Sequence, residues 1–230
     1  MNPHFPPSDQ PPSEPLPRPE RIYLWVEFLA LFGLLPALFC FRSIHVPLPL
    51  LLLSAAAVCL LILSRDRSFN RDQLWNLPAF WRGLPAVLGL WLIGAALFAA
   101  AVLIFAPDRY LEFPRQRPAL WLAVMILYPL LSVYPQNIVY RVFIFHRYAT
   151  LFASRAALIW ASACAFCFGH IIFQNWLALA LTLIGGLIFA RTYNRSRSCL
   201  LVSFEHALYG CLVFTIGMGQ SLYLAAVRAS

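Results

Sequence analysis

The chain has 230 residues, of which 61% are hydrophobic and 11% charged, with a formal net charge of +8. A soluble domain carries about 25% charged residues, and the apolar residues here fall in long unbroken runs, which excludes a soluble enzyme with a large core. All seventeen basic residues are arginine, placed singly or in small groups between the apolar runs; that is how orientation signals are distributed, and it argues against a nucleic-acid partner.

Residues 1–20, "MNPHFPPSDQPPSEPLPRPE", hold too much proline and too few apolar residues to fold. They read as a disordered cytoplasmic tail, with no apolar stretch of a signal peptide before residue 22. Apolar segments follow at about 22–41, 46–64, 84–106, 119–134, 156–173, 175–190 and 199–217. Each is near the roughly 20 residues that cross the hydrocarbon. Open strand edges cannot be satisfied in lipid, so the segments are helices. The expected fold is an all-α polytopic membrane protein with about seven transmembrane helices. Its domains are a tail at 1–21, a helical domain at 22–218 and a short C-terminal tail at 219–230.

The fourth segment is expected to continue as helix to about residue 147, bent at Pro135, because proline removes a backbone hydrogen bond and crowds the preceding turn. Eleven arginines (Arg18, Arg21, Arg65, Arg67, Arg71, Arg82, Arg147, Arg155, Arg191, Arg195, Arg197) fall on one side. Five (Arg42, Arg109, Arg115, Arg117, Arg228) fall on the other. That asymmetry puts the N-terminus in the cytoplasm. The stretch 108–118 reads as an outer loop. The 65–83 connection, with Trp75, Phe80 and Trp81, reads as an interfacial segment or an ordinary charged loop. The junction at Gln174 and Asn175 is short enough for a re-entrant bend.

Six cysteines, Cys40, Cys59, Cys164, Cys167, Cys199 and Cys211, lie in or beside apolar runs, where a secreted disulfide framework would not put them. Cys164, Cys167 and His170 recur every three residues and would complete a Cys₂His₂ set with His206. Small residues packed at a helix interface account for the same spacing.

Ionisable groups at membrane depth are functional candidates by default. They are Glu27, Arg141, His170, Glu205 and His206, joined by the amides Gln136, Asn137, Gln174 and Asn175. Helix rise sets Asn137 roughly 16 Å, His170 roughly 21 Å and His206 roughly 10 Å from their cytoplasmic helix ends, so tilt would let them meet in one layer. One histidine in a membrane helix is ordinarily an interhelical hydrogen-bonding residue. Two on separate helices, facing an amide pair and an arginine on a third, point to a site. Two imidazoles can hold a water or a metal for a carboxylate base to use, but the positions beside Pro135 carry amides, which cannot take a proton at neutral pH.

Three motifs carry a resemblance: "QNIVYR" (Gln136 to Arg141), "FCFGH" (Phe166 to His170) and "HALYG" (His206 to Gly210). In order and spacing they resemble the Glu-Glu-x-x-x-Arg, Phe-x-x-x-His and His-x-x-x-Asn/Asp motifs of the CAAX-protease and bacteriocin-processing family of intramembrane proteases. The wording around them is similar to a bacterial branch whose acidic pair reads Gln-Glu, and the similar span is roughly 85–217. The resemblance implies peptide-bond hydrolysis in the membrane: a glutamate activates water, histidines hold the water or a divalent metal such as zinc, and the third motif stabilises the oxyanion. Carried over, Asn137 stands at the base position beside Gln136, His170 and His206 match, and Phe166 and Arg141 are structural. Gly210 lacks the expected polar group. Glu205, one residue before His206, is a possible substitute carboxylate, and an interhelical partner for Arg141 otherwise.

The resemblance thus implies an intramembrane peptidase acting on membrane peptides or proteins, in a bacterial inner membrane. The alternative is a catalytically dead pseudo-protease that binds or scaffolds membrane proteins. A transporter predicts repeat symmetry and paired broken helices, and the sequence has neither.

Overall fold

The computed structural model of the chain describes residues 17–41 and 47–217. Residues 1–16 of the expected tail at 1–21, residues 42–46, and 218–230, with the expected C-terminal tail at 219–230, lie outside the described residues. Eight helices are described: α1 (Arg18–Cys40), α2 (Leu48–Arg65), α3 (Leu77–Phe105), α4 (Glu112–Gln116), α5 (Pro118–Arg147), α6 (Arg155–Gly169), α7 (Trp176–Ser196) and α8 (Cys199–Thr215). No strand occurs among the described residues. Five apolar helical stretches are long enough to cross a membrane, and α2 and α8 are shorter apolar helices. The protein is an all-α polytopic membrane protein.

Helix starts follow local chemistry. Pro19 stands in the first turn of α1, where a missing N–H costs nothing, so α1 begins at Arg18 rather than after residue 21. Asn76 caps α3 through a 3.0 Å bond from the Ala79 N–H. Ser154 and Ser198 accept from Ala157 and Leu201 at the starts of α6 and α8. These side chains satisfy donors that a helix end leaves open. The connection before α3 holds a short turn, Arg71–Leu74, and Trp75 stacks on Tyr134 at 5.1 Å. The expected outer loop contains α4.

Helix α5 runs unbroken through Pro135. Proline at 129 and 135 leaves the carbonyls of Met125 and Leu131 without their helical donors, and the helix widens into two π-turns, Pro129–Val133 and, beyond Pro135, Ile138–Phe143. Such widened turns recur at functional sites. The second is locked by Ser162 of α6, whose hydroxyl donates to the Tyr140 carbonyl at 2.6 Å. Leucines and isoleucines on α3 and the first half of α5, including Leu92, Ile93, Leu122 and Ile126, face outward. The second half of α5 is the centre of the core: Ile138, Val142, Phe143 and Ile144 pack with Leu63 of α2, Phe166 of α6, Phe189 and Tyr193 of α7 and Val202 of α8.

The α6–α7 pair is a tight hairpin. After His170 the chain makes one turn of 3₁₀ helix, Ile171–Phe173. Gln174 then takes a left-handed conformation at φ 48°. The Asn175 side chain caps α7 by accepting from Leu177 N–H at 2.9 Å and Ala178 N–H at 3.3 Å. Close approach depends on Gly186, since a Cβ there would lie 3.1 Å from the Ala163 Cα and carbonyl oxygen.

Candidate active site

The site lies where the second half of α5 meets α6, α7 and α8. Asn137 is fully buried. Its Nδ2 donates to the Val133 carbonyl at 3.0 Å and lies 3.2 Å from Ser203 Oγ and 3.3 Å from His206 Nδ1. The Val133 carbonyl can only accept, so it fixes which way the amide points, and Oδ1 is left without a protein partner. Gln136 turns away and donates to Ser132 Oγ at 2.7 Å.

His206 is held on four sides. Phe189 stacks on its ring at 4.5 Å and 22°, and Phe166 meets it edge-on at 5.4 Å. Asn137 takes Nδ1, and Nε2 lies 3.5 Å from the Tyr128 hydroxyl. His170, at the end of α6, has Nδ1 at 2.7 Å from the Phe166 carbonyl. That oxygen accepts, so Nδ1 carries the proton and Nε2 keeps a free lone pair. The Phe166 ring lies 4.5 Å from the His170 ring, so one aromatic side chain touches both imidazoles.

Arg141 is fully buried one turn beyond Asn137. Its guanidinium lies over Phe166 at 4.2 Å and Phe189 at 5.6 Å, and Nη2 donates to the Gly186 carbonyl at 3.5 Å. No carboxylate among the described residues forms an ion pair with it, and Nε and Nη1 have no protein partner. Two aromatic faces and a carbonyl hold the cation in place of an acid. Glu205 is buried beside Thr192 of α7, within electrostatic reach of Arg141, and its Oε2 is unpartnered. Neighbouring residues of a helix point about 100° apart, and here Glu205 meets α7 where His206 meets α5.

Gly210 lies one turn beyond His206 on α8. A Cβ there would sit 2.4 Å from Oη and Cε1 of Tyr128, so the phenol of α5 fills the space a side chain at 210 would need. Tyr128 was not a sequence candidate. A tyrosine in an apolar run gives no signal until the glycine opposite it is known.

The donor set does not fit a zinc centre. Both His206 nitrogens and His170 Nδ1 are already engaged, and no three His, Cys, Asp or Glu side chains converge among the described residues. Cys164 is exposed, and Cys167 Sγ lies 3.3 Å from the Leu179 carbonyl. What the arrangement offers is one imidazole with a free nitrogen, a second held between an amide and a phenol, and a cluster of unpartnered buried polar atoms.

Comparison with known proteins agrees with the motifs. Residues 116–212 match the family model described as type II CAAX prenyl endopeptidase Rce1-like, a stretch that contains all three motifs. The resemblance to the CAAX-protease and bacteriocin-processing family is supported over that stretch. No curated protein and no solved structure matches the chain.

Proposed function

We propose that the chain is an intramembrane peptidase that hydrolyses peptide bonds of membrane-associated peptides, with His170 as the group that takes the proton from water. The observation that carries this reading is the pairing of a tautomer-fixed His170, whose Nε2 is free, with His206 across the shared Phe166 ring. An imidazole can act as base near neutral pH, where an amide at 137 cannot. In the reaction His170 Nε2 accepts a proton from water as the oxygen adds to the peptide carbonyl carbon. The carbonyl oxygen becomes negative and is held by donors. The C–N bond then breaks, and the imidazolium returns its proton to the leaving nitrogen, giving an acid and an amine. The arginine asymmetry favours an N-terminus in the cytoplasm of a bacterial inner membrane.

A second reading has its own observation. Asn137 stands at the base position with its two amide protons directed to the Val133 carbonyl and to the Ser203–His206 side, as expected of a pseudo-protease that binds membrane peptides without cutting them. The test is cleavage of a quenched apolar peptide library by purified protein in detergent. Cutting by the native chain that is lost in His170→Ala supports the peptidase. Loss in Glu205→Gln with His170→Ala still active moves the base to Glu205. A silent native chain beside an active Asn137→Glu chain supports the binding role.

A further inference from the structure

Two facts about Tyr128 stand apart from the motif residues. Its ring occupies the space over Gly210, with Oη 2.4 Å from where a Cβ at 210 would lie, and among the described residues its hydrogen-bonding neighbour is His206. Phe214 packs edge-on against the ring at 5.2 Å and fixes its plane. A phenol this far from the helix ends needs a partner for its polar end.

Proton bookkeeping along the chain Asn137–His206–Tyr128 gives the direction of each bond. Asn137 Nδ2 has two protons, one for the Val133 carbonyl and one shared between Ser203 Oγ and His206 Nδ1; it cannot accept, so Nδ1 faces it with a lone pair rather than a proton. A neutral imidazole with an accepting Nδ1 carries its proton on Nε2. That proton points at Tyr128 Oη, which therefore accepts from His206. The tyrosine's own O–H proton is then left over, and no protein acceptor for it stands among the described residues. It is a part-buried donor beside His206, whose other neighbour, Asn137, carries an unpartnered Oδ1.

We propose that Tyr128 donates this proton to the carbonyl oxygen of the bound peptide, and that Gly210 is glycine so that the phenol can reach it. The proposal rests on the peptidase reading for its kinetic consequence but not for the contact itself. The imidazole behind the phenol strengthens it as a donor, because a hydroxyl that accepts a hydrogen bond gives its own more readily. As negative charge grows on the carbonyl oxygen, a fixed donor holds it better than it held the neutral group.

The test uses full-length protein in detergent or nanodiscs, with cleavage of a quenched apolar peptide as the first readout. Tyr128→Phe keeps the ring and its packing and removes the donor. Turnover should fall about 10²-fold with KM changed less than twofold. The double variant Tyr128→Ala with Gly210→Asn, which returns a donor to the vacated space, should regain at least tenfold over Tyr128→Ala alone. Tyr128→Phe within twofold of native overturns the proposal. If the native chain does not cut, the peptidase reading fails separately, and the contact is read by fluorescence anisotropy of a labelled apolar peptide ketone. A fivefold or greater loss of affinity in Tyr128→Phe supports the contact; equal affinity, or no binding by either protein, overturns it.

Discussion

Asn137 and His206, 69 residues apart in sequence, are joined by a 3.3 Å contact between Nδ2 and Nδ1. The amide does not replace a carboxylate chemically. It sets the tautomer of the imidazole, which a carboxylate at the same place would reverse: an acceptor at 137 calls for a proton on Nδ1. Asn137→Leu would leave Ser203, the Val133 carbonyl and Nδ1 without their donor, and we expect a loss of about 1–3 kcal/mol in stability, read by equilibrium unfolding in mixed micelles. No change would mean that the amide is not holding the site together.

His170→Ala and His206→Ala should each lower peptide cleavage by 10² or more, about the contribution of a positioned acid–base group, with helix content unchanged by circular dichroism. Normal turnover in both variants would remove the site from this part of the bundle.

Gly186 sets the spacing of α6 and α7. Gly186→Val should cost about 1–3 kcal/mol by overpacking against the Ala163 backbone, and it should disturb the Arg141 contact to the Gly186 carbonyl. Unfolding midpoints of the Ala and Val variants give the test, with Val the worse of the two.

Helix α1 is clamped to the end of α5. Glu27 accepts from Arg147 Nε at 2.5 Å, from Arg147 Nη2 at 2.7 Å and from the Tyr148 hydroxyl at 2.5 Å. Bidentate charge-assisted bonds of this kind are the stronger ones. Glu27→Gln should cost about 1–3 kcal/mol, and protease nicking near residue 41 should become faster as α1 loosens. Unchanged nicking would show that apolar packing of Trp25 and Phe28 alone holds α1.

One hydrogen-bonded pair joins the last turn of α5 to the residue that follows α2. His146 Nε2 and Asp66 Oδ2 are 2.8 Å apart. The bond from His146, aided by the Ser68 hydroxyl and N–H, holds the Asp66 carboxyl down at about 2. A lowered folded pKa stabilises above the unfolded value, about 3.9, and that contribution is lost as pH falls from about 4 toward 2. Asp66→Asn should flatten this part of the acid unfolding curve. An identical curve would mean that the pair contributes nothing measurable, as many exposed pairs do.

Much of the architecture was legible in composition, because a 20-residue apolar run in lipid has few alternatives to a helix. The seven segments and the continuation of the fourth to Arg147 follow from that. The widened turns did not: proline predicts a lost hydrogen bond, and whether a turn near it widens depends on what packs beside it. Here Ser162 takes the Tyr140 carbonyl and the widened turn persists.

The site divides the same way. Motif spacing and the family resemblance together named Asn137, Arg141, Phe166, His170, His206 and Gly210 as candidates, and residues four apart share a helix face. It did not give the rotation of one helix against another, on which each long-range contact depends. Only the packed bundle decided that Arg141 rests on aromatic rings and a carbonyl, that Glu205 meets Thr192 while its neighbour His206 meets Asn137, and that the empty place at Gly210 is filled by Tyr128. Helix formation is local and is written in each segment; side-chain partnership across 70 to 80 residues is fixed by how closely two helices approach, and small residues such as Gly186 and Gly210 set that distance.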